Sequence, residues 1–110
     1  MSPEHKSLAE GRWFTFSLCS QMANIGSEVE RAISWGRKGN ADYKERAFFR
    51  ALELIDLTIQ DPKNRKRLKE ICRVREILAD FLYFDNEYNS TEEQWQKYFY
   101  SFTYAARSGK

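Results

Sequence analysis

A helical repeat dominates residues 42–62, which read DYKERAFFRALELIDLTIQDP. Its apolar positions return every three or four residues, so they fall on one face of a helix. Those positions are Ala47, Phe48, Ala51, Leu52, Ile55 and Ile59. Asp61 and Pro62 then predict that this helix ends and another begins at once, because Asp is a good N-cap and Pro fits the first helical position. So short a link makes the two helices antiparallel neighbours.

The same spacing recurs in three further segments, at about residues 12–35, 62–84 and 90–107. No sustained alternation of period two, which would indicate strands, is present. We therefore predict an all-α protein, an antiparallel up-down four-helix bundle. A chain of 110 residues has room for one such domain. We place it at residues 12–107, with a flexible tail at 1–11 and a frayed end at 108–110.

Local signals refine the helix ends and one helix crossing. Asp42 with Glu45 opens the second helix as a capping box, and Ser90 with Glu93 opens the fourth in the same way. Gly26 lies inside the first helix, where glycine costs about 1 kcal/mol relative to alanine. A close approach of another helix would compensate for that cost, so we expect one at Gly26.

Composition places the chain among folded proteins of the cytoplasm. The sequence is 42% hydrophobic and 15% aromatic, which is more apolar surface than a disordered chain carries. No apolar run approaches the roughly 18 residues that span a bilayer, and the N-terminus lacks the pattern of a signal peptide. Cys19 and Cys72 lie in apolar helical stretches without metal-ligand spacing, so we expect two buried thiols in a reducing compartment.

The usual signatures of catalysis are missing from the sequence. Its single histidine, His5, lies in the predicted tail and cannot supply paired metal ligands. The glycine-containing segments match neither a P-loop nor a dinucleotide fingerprint. We therefore expect a protein that is not an enzyme and that has no metal site and no cofactor.

Positive charge is concentrated at the start of the third helix. Net charge is only +2, but seven basic residues within 13 positions are opposed by Glu70 alone. They are Lys63, Arg65, Lys66, Arg67, Lys69, Arg73 and Arg75. On a helix such residues can line up along phosphates, which predicts nucleic-acid binding. An ordinary solvated helix face is the alternative. Arg37 and Lys38 would extend the patch if the fold brings them to the same side.

Aromatic residues are in excess near both ends of the chain. One helix stripe cannot bury Trp95, Phe99 and Phe102 together with Tyr100 and Tyr104. Exposed aromatic surface usually marks a protein interface. We expect such an interface, in a homo-oligomer or with a fixed partner. Its candidate residues are Trp95, Tyr100, Tyr104, Trp13 and Phe14. Base stacking and cover by a loop are the alternatives.

Residues 20–28, SQMANIGSE, and residues 42–56, with their FFRALEL core at 48–54, carry a resemblance to a known family. This first half of the chain resembles the first helical hairpin of the 23S ribosomal RNA intervening-sequence proteins. The accessory variability proteins of diversity-generating retroelements are similar in plan. The resemblance implies a small four-helix bundle in a ring-like homo-oligomer, commonly a pentamer. It also implies a basic surface that associates with RNA or with a reverse transcriptase, and no catalytic residues carry over.

The chain is also similar in size and helix count to the prokaryotic HEPN domains, which partner with minimal nucleotidyltransferases. Their ribonuclease members use an Arg followed a few residues later by His, and this sequence has no His after His5. A non-catalytic HEPN-like partner of a nucleotidyltransferase or toxin is therefore the alternative function. The first hypothesis is a homo-oligomeric accessory protein that binds RNA, in preference to DNA, in a ribonucleoprotein or reverse-transcriptase complex.

Overall fold

The structure, a computed structural model, describes residues 11–108. Within that range the chain forms four α-helices and no strand, which confirms the predicted all-α, four-helix fold. Helix α1 spans Leu18–Arg37, α2 Ala41–Gln60, α3 Leu68–Leu82 and α4 Glu92–Arg107. Two 3-10 turns, Arg12–Thr15 and Pro62–Arg67, precede α1 and α3. The predicted tail at residues 1–10, including His5, and residues 109–110 of the predicted frayed end lie outside the described residues.

Helices α1 and α2 form the central pair, because α1 also packs against α4 and α2 also packs against α3. The contacts between α2 and α3 pair in reverse order along the chain. Arg75 of α3 donates to Asp56 late in α2 at 2.7 Å, whereas Tyr83, just after α3, donates to Glu45 early in α2 at 3.2 Å. These two helices are therefore the predicted antiparallel neighbours. The up-down order of all four helices stays a prediction.

Two predicted N-caps lie one or two residues from the real ones. Asn40 caps α2 in place of Asp42, and its side chain accepts from the Tyr43 amide. Thr91 caps α4 in a capping box with Gln94, one residue beyond the predicted pair. Asn and Thr are themselves good caps, and Gln94 lies three residues after Thr91, as a capping box requires.

The first and third helices are shorter than predicted, because a 3-10 turn replaces the first part of each. Phe16 is extended, which separates the turn at Arg12–Thr15 from α1 and lets Ser17 cap that helix. Asp61 caps the second turn as predicted, accepting from the Lys63 amide at 3.1 Å. Regular α-helix begins only at Leu68 and ends at Leu82, two residues before the predicted end at Phe84.

The prediction of two buried thiols is wrong for Cys72. This side chain is exposed on α3, and Cys19 is half-buried. Ile71, Val74 and Leu78 form the buried face of α3. Cys72 lies about 100° around the helix from Ile71, which turns its thiol to solvent.

Helix α1 packs closely against α4 at Gly26, as its position predicted. A Cβ atom added at Gly26 would lie 2.7 Å from the Cβ of Phe99. That separation is far below van der Waals contact, so only glycine fits. The crossing places the buried rings of Trp95 and Phe99 against α1.

Candidate nucleic-acid interface

A buried polar junction holds the basic turn at Pro62–Arg67 in place. Asn64 points inward and donates to the Gln21 side chain at 2.9 Å and to the Thr58 carbonyl at 3.0 Å. Gln21 in turn donates to Asp61 at 2.9 Å. All four side chains are buried, and such groups are stable in a core only when hydrogen-bonded. Because Asn64 faces inward, its basic neighbours in the turn face solvent.

Asp61 remains a carboxylate in this junction. Burial alone would raise the pKa of its carboxyl group, but hydrogen bonds from Lys63 and Gln21 outweigh burial and hold the pKa below its usual range. Lys63 forms an ion pair with Asp61 and also donates to the Phe14 carbonyl at 3.2 Å. The charge of Lys63 is therefore largely neutralised by groups within the protein.

Two further cations of the basic segment are neutralised by carboxylates. Arg67 donates to Glu70 at 2.8 Å, and Arg75 donates to Asp56 at 2.7 Å. Like Lys63, these two residues support the alternative interpretation, an ordinary helix face whose positive charges are neutralised by carboxylates of the same protein. Three of the seven basic residues thus have little charge left for a partner.

The other four basic residues, which we call the unpaired cations, are Arg65, Lys66, Lys69 and Arg73. All four are exposed, and none forms a salt bridge to a carboxylate in the part of the chain that the structure describes. Lys66, Lys69 and Arg73 follow at spacings of three and four residues, which places them along one side of the helical segment. Arg73 also lies over the ring of Tyr88, at 5.9 Å from its centroid.

The structure does not bring Arg37 and Lys38 to this segment. They lie at the C-terminal end of α1, where Arg37 pairs with Glu92 and Lys38 lies over the Trp35 ring at 4.9 Å. The basic turn is held at the other end of α1, through Gln21. A helix of 20 residues is about 30 Å long, so the two groups of cations lie near opposite ends of α1.

The five aromatic residues predicted at a protein interface divide between core and surface. Trp13 and Trp95 are buried in the core, with 1% and 7% of their full area exposed. Phe14 is half-buried against the same core. Tyr100 and Tyr104 are exposed on α4, at 65% and 63% of their full area.

A second exposed aromatic surface was not among the predicted sites. Phe49 and Tyr83 have ring centroids 5.9 Å apart, and the Tyr83 ring stacks on Phe84 at 5.3 Å. All three residues are exposed. The sequence carried one signal for it: Phe48 and Phe49 are consecutive on a helix, so both cannot face the same core.

Helices α3 and α4 border an open groove of about 460 Å³, and one of the unpaired cations, Arg73, lines it. Val74, Ile77 and Trp95 give it an apolar lining, and Arg73 lies on its edge. The indole N–H of Trp95 is buried and has no acceptor among the described residues.

One hydrogen bond joins the two helices at this groove. Tyr98 of α4 donates to Glu70 of α3 at 2.8 Å. Burial, reinforced by that bond, raises the pKa of Tyr98, so its hydroxyl stays protonated. Hydrogen bonds from Arg67 and Tyr98 outweigh burial and hold the pKa of Glu70 below its usual range. Glu70 is therefore a carboxylate that two neighbours already engage.

Metal-binding clusters and membrane-spanning helices are both absent from residues 11–108. No group of three or more His, Cys, Asp or Glu side chains there could hold a metal ion. No helix in that range is long and apolar enough to cross a membrane. No protein-family model, curated protein or solved structure matches the chain.

Proposed function

We propose that this protein binds RNA through the unpaired cations, as a non-enzymatic accessory subunit of a ribonucleoprotein or reverse-transcriptase complex. The observation that carries the proposal is the division of the basic segment. Three of its cations are neutralised by carboxylates, whereas Arg65, Lys66, Lys69 and Arg73 are exposed without one. Phosphates would supply the missing counter-charge and release their own condensed counterions.

The rigidity of the segment supports the same function. Asn64 and Asp61 fix the turn to α1 and α2, so the cations that flank it are presented on a defined surface. Pre-positioned charges lose less conformational entropy on binding than charges on a mobile tail. The resemblance to intervening-sequence proteins favours RNA over DNA and a homo-oligomer, commonly a pentamer, in which the cations of several subunits would act together.

Removing two unpaired cations is expected to weaken RNA binding about tenfold at moderate salt. The variant is Lys66→Ser with Lys69→Ser, measured by fluorescence anisotropy with a labelled mixed-sequence single-stranded RNA. The matched control is Lys97→Ser with Arg107→Ser, which removes the same charge from exposed positions on α4. An equal loss of RNA affinity in the two variants would show that only net charge matters and would contradict binding at the unpaired cations.

A protein-interaction module is the second candidate, and the exposed rings of Tyr100 and Tyr104 favour it. Large exposed aromatic side chains are typical of interfaces with a partner or a second copy. In this function the protein would act as a non-catalytic, HEPN-like partner of a nucleotidyltransferase or toxin.

Replacing Tyr100 and Tyr104 with Ser is expected to shift a homo-oligomer toward monomer by light scattering coupled to size exclusion. The reason is loss of apolar contact area, so the shift should persist at high salt. Tyr43→Ser, which changes an exposed tyrosine near the start of α2, is the control. An unchanged oligomer in the double variant would exclude this surface as the subunit contact.

A further inference from the structure

The groove between α3 and α4 has the size and lining of a small-molecule site. Its volume of about 460 Å³ falls in the range of about 300–1,000 Å³ that is usual for ligand pockets. Val74, Ile77 and Trp95 line it, and Ser90 and Gln94 add a hydroxyl and an amide. A groove with an apolar lining and a few polar groups can accommodate a flat heteroaromatic ring.

Trp95 is an aromatic member of the groove lining. Its ring lines the groove, while its indole N–H is buried without an acceptor in the region covered by residues 11–108. Because that N–H is fully buried, a base in the groove would contact the indole ring and not this donor. Aromatic side chains bind bases of any sequence through such ring contacts.

Arg73 connects the groove to the unpaired cations. It is one of those cations and also lies on the edge of the groove, one helical turn from Lys69. A phosphate held by Arg73 and Lys69 would leave the attached base beside the apolar lining. The one carboxylate on this edge, Glu70, is engaged by Arg67 and Tyr98, which reduces its repulsion of a phosphate.

We propose, building on the proposed binding of RNA by the unpaired cations, that the α3–α4 groove receives one unpaired base of a single-stranded segment. The cations hold the flanking phosphates, and the base lies against the apolar lining of Val74, Ile77 and Trp95. A duplex keeps its bases stacked and paired, whereas single strands can turn a base out toward a protein pocket. The protein should therefore prefer single strands to duplexes of the same charge.

The test is a titration of ¹⁵N-labelled protein with three RNA ligands, following the indole N–H resonance of Trp95. The ligands are a single-stranded octamer, the same octamer with abasic riboses, and a blunt duplex. Phe substitutions at Trp13 and Trp35 assign the three indole signals. We expect the Trp95 resonance to shift with the intact single strand only. The abasic octamer should bind about 5- to 100-fold more weakly, as loss of base stacking predicts.

Ile77→Trp, which adds bulk to the groove lining, should reduce the preference for bases while leaving salt-dependent binding in place. Should it fail to fold, the abasic comparison on the unaltered protein decides. Equal affinity for intact and abasic octamers, with no shift at Trp95, would overturn the base pocket and leave RNA binding by the cations intact. Failure of all three ligands to bind would overturn both.

Discussion

Replacing Trp13 with alanine is expected to lower the free energy of unfolding by about 3–5 kcal/mol. Trp13 is only 1% exposed, and its indole N–H donates to the Thr58 hydroxyl at 3.0 Å. Its carbonyl oxygen also accepts from Gln21 at 3.1 Å, so the Trp13 turn adjoins the junction beneath the basic segment. The alanine variant leaves a large cavity and removes the bond to Thr58.

Urea unfolding followed by circular dichroism measures this loss. Trp13→Phe is the matched variant, because it removes the hydrogen bond but keeps most of the apolar volume, and should cost less than the alanine variant. Phe14→Ala, at a half-buried neighbour, should also cost less. A loss below about 1 kcal/mol for Trp13→Ala would contradict its place in the core. It would instead favour the interface role that the sequence suggested.

Replacing Gly26 with alanine is expected to destabilise the protein by about 1–3 kcal/mol, although alanine is the better helix former. The added methyl group would lie 2.7 Å from the Cβ of Phe99, which is too close to the α4 backbone to move freely. Helices α1 and α4 would have to separate. Thermal unfolding should then occur at a lower temperature.

Gly36→Ala is the control for this prediction, because Gly36 lies in the same helix. A methyl group there would meet the Lys44 Cδ at 3.4 Å, on a flexible side chain that can turn aside. We expect Gly36→Ala to be neutral or slightly stabilising. Equal behaviour of the two variants would show that helix propensity, and not the helix crossing, decides the outcome.

The sequence was sufficient to predict the four helices and the crossing at Gly26, because both depend on local spacing and glycine geometry. It also placed Asp61 at the turn between α2 and α3. It could not predict which cations are neutralised. The pair between Arg75 and Asp56 forms across two helices and depends on how each helix is rotated.

Two errors were avoidable, and one was not. An antiparallel hairpin already places Arg37 and Lys38 at the end opposite the link between its second and third helices. Spacing from Ile71 likewise turns Cys72 outward. The position of Trp13 depends on the extended backbone at Phe16, which no local sequence motif predicts.

The most direct measurement of the central claim is the salt dependence of RNA affinity. For single strands, the slope of log affinity against log salt is about −0.7 for each neutralised phosphate, so four cations predict about −3. The variant Lys66→Ser, Lys69→Ser, Arg73→Ser should flatten the slope to about −0.7, the value for Arg65 alone. A slope near zero for the unaltered protein, or one that the triple variant leaves unchanged, would contradict RNA binding by the unpaired cations.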